Sequence, residues 1–174
     1  MEEQVILVDH EDTPLGIIGK MDAHQLGLLH RAFSVFIFNS KGELLLQQRA
    51  LDKYHSAGQW TNTCCSHPRP YEETHLAALR RLDEEMGMNC DLTYGFNFTY
   101  KASFSNDLTE YELDHVFFGY SDDLPVINST EVAAYKYISL LDLDTDLKQN
   151  PDIYTPWLKI CFDKVLAYKN EIYE

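Results

Sequence analysis

Cys65 and His67 lie two residues apart in Trp60-Thr61-Asn62-Thr63-Cys64-Cys65-Ser66-His67-Pro68, which sets a proton-transfer candidate beside a metal-ligand candidate. A second pair is Glu110 and Glu112. At i and i+2 on a strand both side chains leave the same face, so two carboxylates can reach one ion. A third set is Glu72, Arg80, Arg81, Glu84 and Glu85, closed by Gly87. Its spacing places acidic and basic groups on successive helical turns, where a glutamate can hold Mg²⁺ and an arginine phosphate oxygens. Each set alone has an ordinary reading: a buried cysteine pair with a turn histidine, the wet face of a strand, a salt-bridged helix. Their joint occurrence favours chemistry.

These residues need elements to hold them. Residues 4–9 and 15–20 read as strands around Asp12-Thr13-Pro14, and 32–38 with 43–49 as a hairpin across Asn39-Ser40-Lys41-Gly42. The helix is expected over 72–86, with acidic residues at its start and Gly87 as its C-cap. Partial alternation of β-branched and aromatic residues then indicates strands over 92–104 and 108–120, joined near Ser105-Asn106-Asp107, and another over 132–138. Helices over 139–148 and 155–172 close the chain, with Pro156 in the first turn of the last. The expected class is α/β (α+β): a mixed sheet with helices packed on it.

The chain has 174 residues, 45% hydrophobic and 13% aromatic, without repeats or a Pro/Gly/Ser-rich linker, which suits a single domain over 1–174. A net charge of -14 excludes nucleic acid and anionic membrane as main partners, because both are polyanions. Met1-Glu2-Glu3-Gln4 lacks the basic region of a secretory signal, and no apolar run reaches membrane-spanning length. Four cysteines are too few and too irregular for a disulfide framework. A cytoplasmic setting with reduced thiols is expected.

Glu72-x7-Arg80-Arg81-Leu82-x-Glu84-Glu85-x-Gly87 resembles the Nudix box, a helix that places magnesium against diphosphates. Two positions depart from it: the usual leading glycine falls at Ser66, and the usual glutamate after the first arginine is Arg81. With the Cys65/His67 segment and Glu110-Tyr111-Glu112, the whole resembles the type I isopentenyl-diphosphate delta-isomerases, which move a double bond between two five-carbon prenyl diphosphates. The likeness runs through Lys20, His24, His30, Arg49, Lys53, Tyr100 and Trp157, nearly the whole chain. His24 and His30 are six apart, where relatives can carry an extra residue.

The resemblance implies a Nudix-like sheet between helices and two ions. His24, His30, His67, Glu110 and Glu112 would hold Mn²⁺, Mg²⁺ or Zn²⁺, a donor mixture that suits a six-coordinate divalent cation. Glu85 would meet Mg²⁺ carried with the substrate diphosphate, while Lys20, Arg49, Lys53 and Arg81 add positive charge. Cys65 and Glu112 would exchange protons with the hydrocarbon from opposite sides, Tyr100 would orient or relay, and Trp157 would face a carbocation-like state. If the segment is extended, Cys64 points away from Cys65. Cys90 and Cys161 read as core residues, and His10, His55, His75 and His115 as surface or satisfied core histidines. The partner is a small prenyl diphosphate, and the chain a monomer or homodimer. Two competitors remain: a Nudix hydrolase, disfavoured by Arg81, and a noncatalytic metal module, which leaves Lys20, Arg49 and Arg81 unexplained.

Overall fold

The computed structural model describes residues 2–173. The elements run β1 (Gln4–Val8), β2 (Pro14–Gly19), α1 (Lys20–Leu26), β3 (His30–Phe38), β4 (Glu43–Arg49), β5 (Trp60–Thr61), β6 (Cys64–Ser66), α2 (Thr74–Met86), β7 (Thr93–Ser103), β8 (Thr109–Tyr120), β9 (Val132–Ser139), α3 (Leu140–Gln149) and α4 (Pro156–Tyr173), with a 3-10 turn at Pro151–Ile153.

β3 is the axis. Its period-two alternation sends Phe33, Val35 and Ile37 to one face and Phe36 and Phe38 to the other, all fully buried, as a strand covered on both sides requires. Ala77, Ala78, Leu82 and Met86 of α2 pack on the first face. Trp157, Leu158, Phe162 and Val165 of α4 pack on the second, with Phe98, Val116 and Phe118. The expected mixed sheet between helices is present.

Along one edge β3 runs parallel to β8 from His30↔Glu112 to Phe38↔Tyr120, and β7 lies antiparallel on the far side of β8. The hairpin predicted after β3 exists only at its root. β3 and β4 pair at Phe38↔Leu44, then part, and β4 continues with β9 and β5. Parted strands leave backbone groups that must find partners. Thr63 supplies two, accepting from Ile37 N at 2.9 Å and donating to Leu45 O at 2.6 Å, and Asn62 Nδ2 donates to Val35 O at 3.1 Å. β6 enters this split, opposite Phe33–Val35, and carries Cys65 with it.

Two boundaries that bear on the site differ from the sequence reading. α2 begins at Thr74, not at residue 72, and has no acidic residue in its first turn. Glu72 instead stays outside the helix, where it accepts from Arg69 N and from two nitrogens of Arg80. The strand expected over 15–20 stops at Gly19, and Lys20 opens α1, two turns too short to leave a periodic signature and ended by Gly27 at φ 65°. Gly87 does cap α2, at φ 61°, and a Cβ there would lie 2.6 Å from Val126 O, so no other residue fits.

Candidate active site

β8 lays Glu110, Glu112 and Asp114 on one face, all buried on the α4 side of the sheet with Val116 and Phe118 further along. The first two were expected from their spacing. Asp114 extends the same alternation and was missed. Burial and the neighbouring Glu112 charge push its carboxyl well above the usual range, against the Ser34 hydroxyl that donates to it at 2.8 Å. Burial also opposes ionisation of Glu112, yet His67 and His30 hold its carboxyl well below the usual range. Tyr100 pairs with Glu112 across β7 and β8, and its hydroxyl lies against both Glu112 and Glu110, 2.9 Å from Glu110 Oε2. It has one proton to give.

Three histidines arrive from three elements. His30 opens β3 opposite Glu112, His24 comes from α1 and His67 follows β6. His30 Nδ1–H donates to Leu28 O at 2.8 Å, which leaves its Nε2 lone pair aimed inward, 3.2 Å from Glu112 Oε2. His67 Nε2 stands 2.5 Å from the same oxygen, and His24 Nε2 stands 3.9 Å from Glu110 Oε1. Among the described residues, His24 Nε2, His30 Nε2 and His67 Nδ1 are buried polar atoms without a hydrogen-bond partner. Burial, then the neighbouring His67, lowers the pKa of His24 to about 3, so its ring is a neutral donor. Ligand atoms of His24, His30, His67 and Glu112 all lie within 4.8 Å of one another. Buried lone pairs converging on buried carboxylates fit a divalent cation that accepts nitrogen.

Cys64 and Cys65 do face opposite sides. Cys64 joins the α2 core and donates to Glu85 Oε2 at 2.9 Å. Cys65 packs toward α4, donates to Asn62 Oδ1 at 3.4 Å and accepts from Trp157 Nε1 at 3.2 Å. Burial, followed by the Glu85 charge, pushes its thiol up, so it keeps its proton across the neutral range.

Cations gather where β4, α1 and α2 meet. Arg81 Nη2 donates to Glu85 Oε1 at 2.8 Å, with Nη1 2.7 Å from Glu84 Oε2. Burial opposes its charge, and the Glu85 and Glu84 carboxylates with the Cys64 sulfur together outweigh that to raise its pKa. Lys53 pairs with Glu131, and Lys20 with Glu3 at 3.2 Å. The Arg49 guanidinium sits 5.3 Å from the Trp157 ring centroid. Lys20, Arg49, Lys53, Arg81, Glu85, Cys65, His67, Tyr100, Glu110, Glu112 and Trp157 line one cleft of about 120 Å³, and His24 and His30 lie fully buried behind it.

A NUDIX-domain profile matches residues 28–158. The chain is 55% identical over 171 residues to Isopentenyl-diphosphate Delta-isomerase 1 of Aromatoleum aromaticum, covering 98% of this chain and 97% of that one. It is 50% identical over 165 residues to the Isopentenyl-diphosphate Delta-isomerase of Pectobacterium atrosepticum, covering 95% and 92%. The chain belongs to the isopentenyl-diphosphate delta-isomerase family. Solved structures share its fold at low identity. DR0079 from Deinococcus radiodurans superposes with a TM-score of 0.78 at 17% identity, over 93% of this chain and 98% of that one. The MutT protein from Methanosarcina mazei does so with 0.67 at 19%, over 84% and 96%.

His55, read as a surface or satisfied core histidine, is buried with both ring nitrogens partnered; it also lines the cleft, with Nε2 2.9 Å from Glu110 Oε1. Its signal was weak, a histidine in a loop with no alternation to aim it. The other three histidines set aside have ordinary surroundings, His10 exposed beside Tyr111, His75 on Leu92 O and His115 on Asp12. Cys161 is a core residue as expected, while Cys90 is only partly buried at the edge of the α2 core.

Proposed function

We propose that this chain interconverts isopentenyl and dimethylallyl diphosphate by protonating one carbon and deprotonating another, through a carbocation-like state. The observation that carries the reading is that Cys65 and Glu112, from strands on opposite edges of β3, line one cleft whose rim is cationic. Double-bond transposition requires two proton-exchanging groups around a short hydrocarbon, and a charged tail needs cations beside them. The names of the relatives at about half identity support the same substrate pair.

Cys65 is the protonated member of the pair and Glu112 the ionised one in the metal-free chain. Asn62 and Trp157 fix the sulfur from two directions, so the thiol proton has a defined starting point. Tyr100 holds Glu112 on β8 and passes or orients a proton at its carboxylate. Trp157 presents an indole to developing positive charge, an interaction of about 2 kcal/mol or more in a desolvated site. Lys20, Arg49, Lys53 and Arg81 would bind the diphosphate, the arginines by planar bidentate contacts. A divalent cation held by His24, His30, His67, Glu110 and Glu112 would supply positive charge that orients Glu112, and Mg²⁺ at Glu85 would neutralise diphosphate charge.

Among the described residues no helix is long and apolar enough to cross a membrane, and all four cysteines are free. Cytoplasmic residence as a monomer or homodimer is part of this proposal. The test is incubation with Mg²⁺, Mn²⁺ and isopentenyl diphosphate in deuterated water. Dimethylallyl diphosphate carrying solvent deuterium, with no released phosphate, is the expected result. Phosphate without isomer would make the protein a hydrolase, and no turnover would leave a metal-binding module.

A further inference from the structure

His55 stands outside the set of ligands that the resemblance implies, yet it holds one of them. The loop after β4 carries it inward between Arg49 and Gln59, and Arg49 Nη2 donates to the His55 carbonyl at 3.3 Å. Ser56, the next residue, takes φ 53°, a left-handed conformation that a serine adopts only where its surroundings enforce it. Asn106 Nδ2 pins the loop from the other side, donating to Tyr54 O at 2.7 Å. The imidazole is stacked on Phe104 at 4.7 Å and 19°, with Trp157 edge-on at 6.2 Å. Such packing fixes the plane of the ring.

Its tautomer follows from its two neighbours. Glu110 Oε1, 2.9 Å from Nε2, is an acceptor, so Nε2 carries the hydrogen, and Nδ1 accepts from the Ser56 hydroxyl at 3.3 Å. His55 thereby holds Glu110 at Oε1, while the Tyr100 hydroxyl, which also meets Glu112, lies 2.9 Å from Oε2. Glu110 Oε1 also faces His24 Nε2 at 3.9 Å, and ligand atoms of His24, His55 and Glu110 lie within 4.8 Å of one another.

We propose that His55 is a positioning residue of the metal centre, whose Nε2–H fixes the Glu110 carboxylate in the orientation that faces His24. This rests on the metal-dependent reading above and adds to it a residue and a loop. Because Arg49 ends β4 just before that loop and Lys53 lies within it, the hydrogen bond also ties the cation cluster to the metal site.

The test uses the full-length chain stripped with a chelator and titrated with Mn²⁺ alone, free Mn²⁺ being read by electron paramagnetic resonance. His55→Phe keeps the stacking on Phe104 and loses the donor. Loss of such an outer hydrogen bond lowers metal affinity by about 10–100-fold, which is the expected result. His55→Gln, whose amide N–H can reach Glu110, is expected to stay within about threefold of the unmodified chain. In a Glu110→Ala background, which removes the acceptor, His55→Phe should cost less than about twofold more. Should the phenyl variant fail to fold, His55→Asn, too short to reach Glu110, gives the same comparison. Unchanged Mn²⁺ affinity in the donor-less variant, equal losses in the glutamine and phenyl variants, an undiminished loss in the Glu110→Ala background, or no Mn²⁺ binding to the unmodified chain would each overturn the proposal. No substrate is present, so a chain that binds Mn²⁺ in this pattern but fails to isomerise would sink the functional reading and leave His55 in place.

Discussion

Arg81→Glu is the perturbation that separates this helix from a hydrolase-like one. Arg81 spans Glu84 and Glu85, and the two partners of the inner pair have side chains only 17% and 7% exposed. Removing one member of a buried pair costs about 3–5 kcal/mol, because the other charge stays behind uncompensated. Partial exposure of the arginine places this case near 3 kcal/mol. At roughly 2–4 °C per kcal/mol for a chain of this size, the melting temperature in EDTA should fall by about 6–12 °C. A carboxylate at 81 adds to Glu84 and Glu85, so cation binding should return stability, about 2.7 kcal/mol at 100 times the dissociation constant. Differential scanning calorimetry with and without Mg²⁺ reads both effects, and Arg81→Leu, which adds no carboxylate, should recover less. The same substitution should weaken Mg²⁺-dependent binding of inorganic diphosphate about 10–100-fold by titration calorimetry, the equivalent of one charge-assisted hydrogen bond. A variant that melts within about 2 °C of the unmodified chain in EDTA would refute the buried-pair reasoning. Unchanged diphosphate affinity would remove Arg81 from the substrate contact.

Cys65→Ala should lower isomerisation by at least about 10²–10⁴-fold while Mn²⁺ binding and the circular dichroism spectrum hold, and turnover near the unmodified rate would take the thiol out of the chemistry. Trp157→Leu should slow turnover by about 30-fold or more, corresponding to about 2 kcal/mol of cation stabilisation, and a change confined to KM would assign the indole to binding instead. Glu72 gives the pH dependence. The Arg80 hydrogen bonds pull its carboxyl below the ordinary 4.5, so the folded chain takes up that proton less readily than the unfolded one. The pair's contribution is therefore complete above pH 4.5 and fades as pH falls through the lowered folded value. Urea unfolding of Glu72→Gln should show a deficit at neutral pH that closes in acid, and a pH-independent deficit would assign the loss to packing.

Much of the centre was legible before any coordinates, wherever local geometry alone aims a side chain. Glu110 and Glu112 share a face because a strand repeats every two residues, and Cys64 and Cys65 part for the same reason. The helical spacing of Arg80, Arg81, Glu84 and Glu85 likewise gives the ion pairs seen on α2. Asp114 obeys the rule that aims its neighbours, one repeat beyond the Glu110-Tyr111-Glu112 motif.

Tertiary structure decided the rest. No local pattern brings residue 30 beside residue 112; the parallel pairing of β3 with β8 does, across a separation that only the folded core pays for. Parting of β3 from β4 opened the gap that admits β6, and side chains of Asn62 and Thr63 made it tolerable by taking up the stranded backbone groups. His55 depends most on this level, since loop residues have no repeat to fix their direction and its ring is turned inward by Phe104, Asn106 and the Ser56 backbone. Periodic elements write their orientation into the order of residues; a loop acquires its own only from what it is packed against.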